Sequence, residues 1–124
     1  MSKPKSNALT HFVQALCWSL KGIRSAFKHE VAFRQEVFLF IILGPLALWL
    51  GTTAFERALL LSTLFLVLAV EMLNSAVEAV VDRVGDERHA LAGRAKDMGS
   101  AAVFFTLANA VVVWGVILAD KYYG

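Results

Sequence analysis

A single cysteine, Cys17, leaves no partner for an internal disulfide. Charge is the second scarcity. Residues 37–55 carry none, residues 98–119 carry none, and residues 58–81 carry only Glu71 and Glu78. Each run is close to the ~20 residues that cross a hydrocarbon core. With 58% hydrophobic residues in 124 and a mean hydropathy of +0.63, too little polar surface remains for a soluble domain. Lys21, Arg24, Lys28 and Arg34 interrupt everything before Val37, so no secretory signal peptide is expected. The charged segment 82–100 has no phosphate loop of the G-x-x-x-x-G-K-S/T type and no protein-kinase signature. Its His89 has no second histidine or cysteine at ligand spacing, which argues against zinc.

What charge there is lies on one side of the apolar runs. Residues 1–36 hold Lys3, Lys5, Lys21, Arg24, Lys28 and Arg34, and the segment after the second run holds Arg83, Arg88, Arg94 and Lys96. Only Arg57 and Lys121 fall on the other side. By the positive-inside rule the N-terminus and the 82–97 loop are cytoplasmic, and the 51–57 loop and the C-terminal tail are periplasmic, across a bacterial inner membrane. The chain therefore reads as one all-α membrane domain over 1–124. A surface helix covers about 8–28, and spans cover about 33–52, 55–82 and 97–119.

The second span carries an anomaly. At about 100° per residue Glu71, Asn74, Glu78 and Asp82 share one narrow helical face, and Ser75 borders it. An acid in a spanning helix costs about 2.5–3.5 kcal/mol on insertion scales, so it faces a partner, a cavity or a reaction. The row runs toward the cytoplasm, where ATP and magnesium are available. Mg²⁺ takes one or two carboxylates and completes its shell with phosphate oxygens and water. Glu78 and Glu30 fit that requirement, with Lys96, Arg88 and Arg94 as cations for phosphate oxygens.

Other residues admit two readings. Leu9, Phe12, Val13, Leu16, Leu20, Ile23 and Phe27 form an apolar stripe opposite His11, Gln14, Lys21 and Ser25, the pattern of a helix lying in the membrane surface. Trp18 falls on the polar face, as a headgroup-level aromatic or as a platform for a base. Glu30 and Arg34 stand at i and i+4, where they make a surface ion pair unless Glu30 ligates metal. Pro45 predicts a kink after Gly44. Asn109 is read as an interhelical hydrogen bond, and Ala95, Gly99 and Ala102 as a close-packing face.

The segment EMLNSAVEAVVDRVGDERHALAGRAKDMGSAA, residues 71–102, resembles the signature of the small prokaryotic diacylglycerol kinases, E-x-x-N-S/T-A-I/V-E followed by a loop ending in A-K-D. Residues 15–36 are similar to the family's amphipathic segment, and the AGRAKDMGSAAV stretch is closest to the Gram-negative members. The resemblance implies a homotrimeric integral-membrane enzyme with shared active sites, phosphorylating diacylglycerol from MgATP and binding no nucleic acid. It implies Glu71 as general base and Glu30 and Glu78 as magnesium ligands. Trp18, Glu87, Arg88, His89, Lys96 and Asp97, together with both metal ligands, would contact the nucleotide. Asn74 would support Glu71, and Arg34, Gln35 and Ser100 would line the lipid side. His11 stands where the family often has arginine, and Asp82 receives no role. Undecaprenol is the alternative acceptor within the family. A small proton-coupled transporter also uses a membrane glutamate, but needs neither the second carboxylate nor the Lys96-Asp97 pair.

Overall fold

The computed structural model describes residues 7–85 and 90–124. Every element among them is helical: α1 (Ala8–His29), α2 (Val31–Leu50), α3 (Ala54–Val84) and α4 (Ala90–Tyr123). The last three are long and apolar enough to cross a membrane. The helix ends have local causes. Asn7 caps α1, its Oδ1 accepting from Thr10 N (2.8 Å) and Thr10 Oγ1 (2.7 Å). Thr53 and Glu56 close a capping box on α3. Gly85 ends α3 with φ at 146°, a conformation that side-chain-bearing residues rarely adopt. Pro45 lies inside α2, which runs through it, with the Ile41 carbonyl deprived of its usual N–H partner.

The helix α3 is the centre of the protomer. It packs against α4 along one flank and α2 along another, while α1 touches α2 and α3 only near its C-terminal end. The core is correspondingly small: Phe33, Ala47 and Leu50 from α2, with Leu60, Leu64 and Val67 from α3. Deep in the α3–α4 seam, Trp114 Nε1 donates to Thr63 Oγ1 at 2.9 Å, and Thr63 in turn donates to the Leu60 carbonyl. This is the interhelical hydrogen bond that the sequence reading assigned to Asn109. Asn109 is instead exposed and has no hydrogen-bond partner among the described residues.

At the opposite end from the acidic row, two cations tie off the C-terminus of α2. Arg57 Nε donates to the Leu48 and Gly51 carbonyls, both at 3.1 Å, and Lys121 Nζ donates to the Leu50 carbonyl at 2.6 Å. These carbonyls have no N–H ahead of them in the helix, and they form the negative end of its dipole. The same contact fixes the far end of α4 to α2. Most of α1 is exposed among the described residues. Ala26 is its one buried residue, and the stripe from Leu9 to Phe27 is exposed along its length. That is the surface an interfacial helix presents to lipid.

Replacing Trp114 with phenylalanine keeps most of the ring volume and removes the bond to Thr63. Equilibrium unfolding in mixed micelles should show a loss of about 0.6–1.5 kcal/mol. No measurable loss would mean that the bond contributes nothing to the seam.

Candidate active site

The acidic face of α3 is graded by burial. Glu71 is 7% exposed, Ser75 is buried, Asn74 and Glu78 are half-buried, and Asp82 is exposed. The gradient follows the geometry: Glu71 lies opposite α2, whereas Asp82 is near the end of the helix. Burial strips water from the Glu71 carboxylate, and Glu36, Glu78 and Glu30, in that order, add like-charge repulsion. No basic side chain lies within ion-pair distance of these four carboxylates among the described residues.

Glu36 is the member that the sequence reading missed. The signal was present. On α2, Glu36 shares its helical face with Phe33, Phe40, Leu43 and Ala47, the face that turns inward. It stands at an apolar cavity of about 200 Å³ bounded by Leu39 and Phe40 of α2, Leu64 and Val67 of α3, and Leu107 and Val111 of α4. A carboxylate beside an apolar chamber at membrane depth suits an amphiphile whose polar end meets the acids.

The flank of α3 facing α4 holds Asn74, Glu78 and Asp82. Asn74 Nδ2 donates to Glu78 Oε1 at 3.3 Å. The amide is thus bonded to Glu78, whereas the resemblance implied support of Glu71. Lys96 Nζ pairs with Asp82 Oδ1 at 2.6 Å, the one ion pair among the described residues. Lys96 also feels the charge of Glu78. Asp82, without a role in the sequence reading, therefore holds the lysine beside the row. Helix α4 begins at Ala90, so Arg94, Lys96 and Asp97 lie on a helix and not on the solvated loop that the charge density suggested. Asp97 and Arg94 line an open surface groove on its outer side. Glu87, Arg88 and His89 lie outside the described residues.

The other flank of α3 faces α1. Ser25 and His29 of α1, Glu30, and Ser75 and Ala79 of α3 bound a groove of about 450 Å³. Trp18 is exposed and lies one turn before Gly22 on the same α1 face as Ser25 and His29, so the face carrying it is the one turned to this groove. Glu30 is the hinge between α1 and α2. Its backbone is extended (φ −113°, ψ 111°), and its N–H still bonds the Ala26 carbonyl at 2.8 Å. The Glu30–Arg34 ion pair does not form. Arg34 Nη1 reaches back to the carbonyls of Phe27 (2.9 Å) and Lys28 (3.1 Å), acceptors in the last turn of α1 that no helical N–H follows. Gln35 and Ser100 are exposed in the single protomer.

Residues 17–118 match the family model described as prokaryotic diacylglycerol kinase. The chain is 55% identical to a diacylglycerol kinase of Haemophilus influenzae over 114 residues, covering 92% of this chain and 97% of that one. It is 48% identical to the diacylglycerol kinase of Escherichia coli K12 over 117 residues, covering 94% and 96%. With the diacylglycerol kinase of Pseudomonas aeruginosa the identity is 49% over 110 residues, 89% of each chain.

Arg34 makes a specific structural prediction. Arg34→Met should uncap the end of α1 at a cost of about 1 kcal/mol. Backbone hydrogen exchange in the 26–34 corner should then speed up severalfold. Unchanged exchange would show that the two carbonyl contacts do not hold the corner.

Proposed function

This chain belongs to the prokaryotic diacylglycerol kinase family, and from that premise we propose a membrane lipid kinase. It moves the γ-phosphoryl group of ATP to the primary hydroxyl of diacylglycerol, giving phosphatidic acid and ADP. The observation that carries this reading is the graded row on α3, with Glu71 buried and Glu78 shallower and within the field of a lysine, while Glu36 of α2 stands at an apolar chamber. The names of the relatives favour diacylglycerol over undecaprenol as acceptor.

Four carboxylates without a basic partner would repel a polyphosphate unless a cation joined them. Among the described residues no three His, Cys, Asp or Glu side chains are grouped to hold a metal. Two carboxylates, Glu30 and Glu78, match the small protein share of Mg²⁺, which needs one or two and takes the remainder from phosphate and water. Glu30 and Glu78 would hold it, and the bound ion would neutralise charge on the β- and γ-phosphate oxygens.

The chain's own residues supply the rest. Glu71 accepts the proton of the lipid hydroxyl as that oxygen attacks phosphorus and the bond to ADP breaks. Asn74 restrains Glu78. Lys96 exchanges Asp82 for a phosphate oxygen, and Asp97 with Glu87, Arg88 and His89 contacts the nucleotide. Trp18 stacks on the adenine in the α1–α3 groove. Gln35 and Ser100 line the lipid side, with Arg34 holding the corner above them.

A homotrimer with shared sites is part of the same proposal. Within one protomer Glu30 borders the α1 flank of α3, and Glu78 bonds Asn74 on the α4 flank. The exposed Met98, Phe104 and Phe105 on α4 leave surface for neighbours or lipid. The bacterial inner membrane, with the N-terminus in the cytoplasm, is supported by the distribution of lysine and arginine.

Purified protein in mixed micelles, given γ-labelled ATP with diacylglycerol and undecaprenol in parallel, should label phosphatidic acid. Label on undecaprenol alone would reassign the acceptor, and label on neither would refute the kinase. Glu71→Gln should lower turnover by about 10²–10⁴-fold while MgATP binding survives. Near-normal turnover would remove Glu71 as the base. Glu78→Gln should weaken MgATP binding, and unchanged nucleotide affinity would remove it as a ligand.

A further inference from the structure

We propose that Gly99 is a positioning residue of the site. Its missing side chain lets the Asn74 amide lie against the backbone of α4, and this holds Nδ2 on Glu78. The inference starts from a steric fact. A Cβ at position 99 would run into Asn74 Oδ1 and lie 3.2 Å from Asn74 Cγ. The direction that a side chain would take from Gly99 is therefore occupied by the amide. Gly22, Gly93 and Gly115 have nothing within 4 Å in that direction, so the close approach is particular to Gly99 among these helical glycines.

A second observation concerns the amide itself. Asn74 Oδ1 is fully buried and has no hydrogen-bond partner. A buried carbonyl without a donor is unfavourable, and a free rotor would turn it toward water. The Cα–H of Gly99 points at this oxygen, a weak contact of the kind found where helices pack closely. With Oδ1 lodged there, the other end of the planar amide is aimed at Glu78 Oε1. This is the one hydrogen bond that Glu78 makes among the described residues. Gly99 thus acts on Glu78 through Asn74 and touches no reacting atom. A methyl at 99 collides with Oδ1 and crowds Cγ, so the amide has to turn or shift from its present position, and that movement loosens its bond to Glu78.

The functional consequence rests on Glu78 holding the metal, and the experiment separates the two claims. The first readout is the side-chain amide NMR signal of Asn74 in selectively labelled protein. It should shift markedly in Gly99→Ala, and an unchanged signal overturns the proposal. The second is Mn²⁺ binding followed by electron paramagnetic resonance with a non-hydrolysable ATP analogue. Outer-shell partners of metal ligands are worth about 10–100-fold in affinity, so Gly99→Ala and Asn74→Ala should each weaken Mn²⁺ by a similar factor in that range. The double variant should be no weaker than either alone, and additive losses overturn the proposal. If Glu78→Gln leaves Mn²⁺ affinity intact, the metal role fails, and the Asn74 signal still decides the positioning claim. If Gly99→Ala does not fold, Gly99→Ala/Asn74→Ala decides. Removal of the amide should restore folding, and a double variant that stays unfolded shows that Gly99 serves only the backbone packing.

Discussion

A carboxylate at membrane depth must be kept from lipid, and α3 is the helix on which that requirement falls. Its apolar residues supply three of the seven buried in the core, and the deep part of its acidic face has to be enclosed by the neighbours. The α2 helix closes over Glu71 with an inward face that itself contains Glu36. The α4 helix closes over Asn74 with a glycine and over Asp82 with a lysine. The ends of the bundle are then secured separately, by Arg57 and Lys121 on the carbonyls of α2. The enclosure leaves Glu71, Glu36, Glu78 and Glu30 with no basic side chain at ion-pair distance among the described residues.

The gradient of exposure along α3 separates two solvents. Glu71 is buried, and Asp82 reaches water together with Lys96. Seven residues of helix part Glu71 from Glu78, about 10 Å. A lipid glycerol and a water-borne nucleotide can approach such a face from opposite ends. Phosphoryl transfer asks chiefly for positioning and charge neutralisation, so rigid placement of a few carboxylates carries much of the chemistry. The α1 helix adds a third boundary. Its polar face, with Ser25 and His29, turns to α3, and its apolar stripe is left for the membrane surface.

Much of this was legible in the chain. The shared face of Glu71, Asn74, Glu78 and Asp82 follows from helical spacing, and the stripe of α1 from its three-and-four repeat. The motif over 71–102 led to the same family as the comparisons. The partners were less legible. Arg34 was paired with Glu30 on spacing alone, but the carbonyls at the end of α1 outcompete the carboxylate. Asn74 was given to Glu71, although an asparagine at i reaches i+4 more readily than i−3 when the adjacent helix pins its oxygen. Glu36 was overlooked because it sits at the end of a charged stretch, where acids are ordinarily solvated. Arg94, Lys96 and Asp97 were read as loop because charge density resembles a solvated connection, whereas their helix is continuous with the span.

The sequence by itself determined the class of protein, the number of helices, and the line of acids on one of them. These are properties of hydrophobic length and a fixed angular repeat, both local to the chain. Only the tertiary structure decided which side chain answers which. The bond from Trp114 to Thr63, the lysine on Asp82, the glycine against Asn74 and the inward placement of Glu36 all depend on how helices approach one another. That approach is set by the size of a few facing side chains across a seam, and no spacing along a single helix contains it.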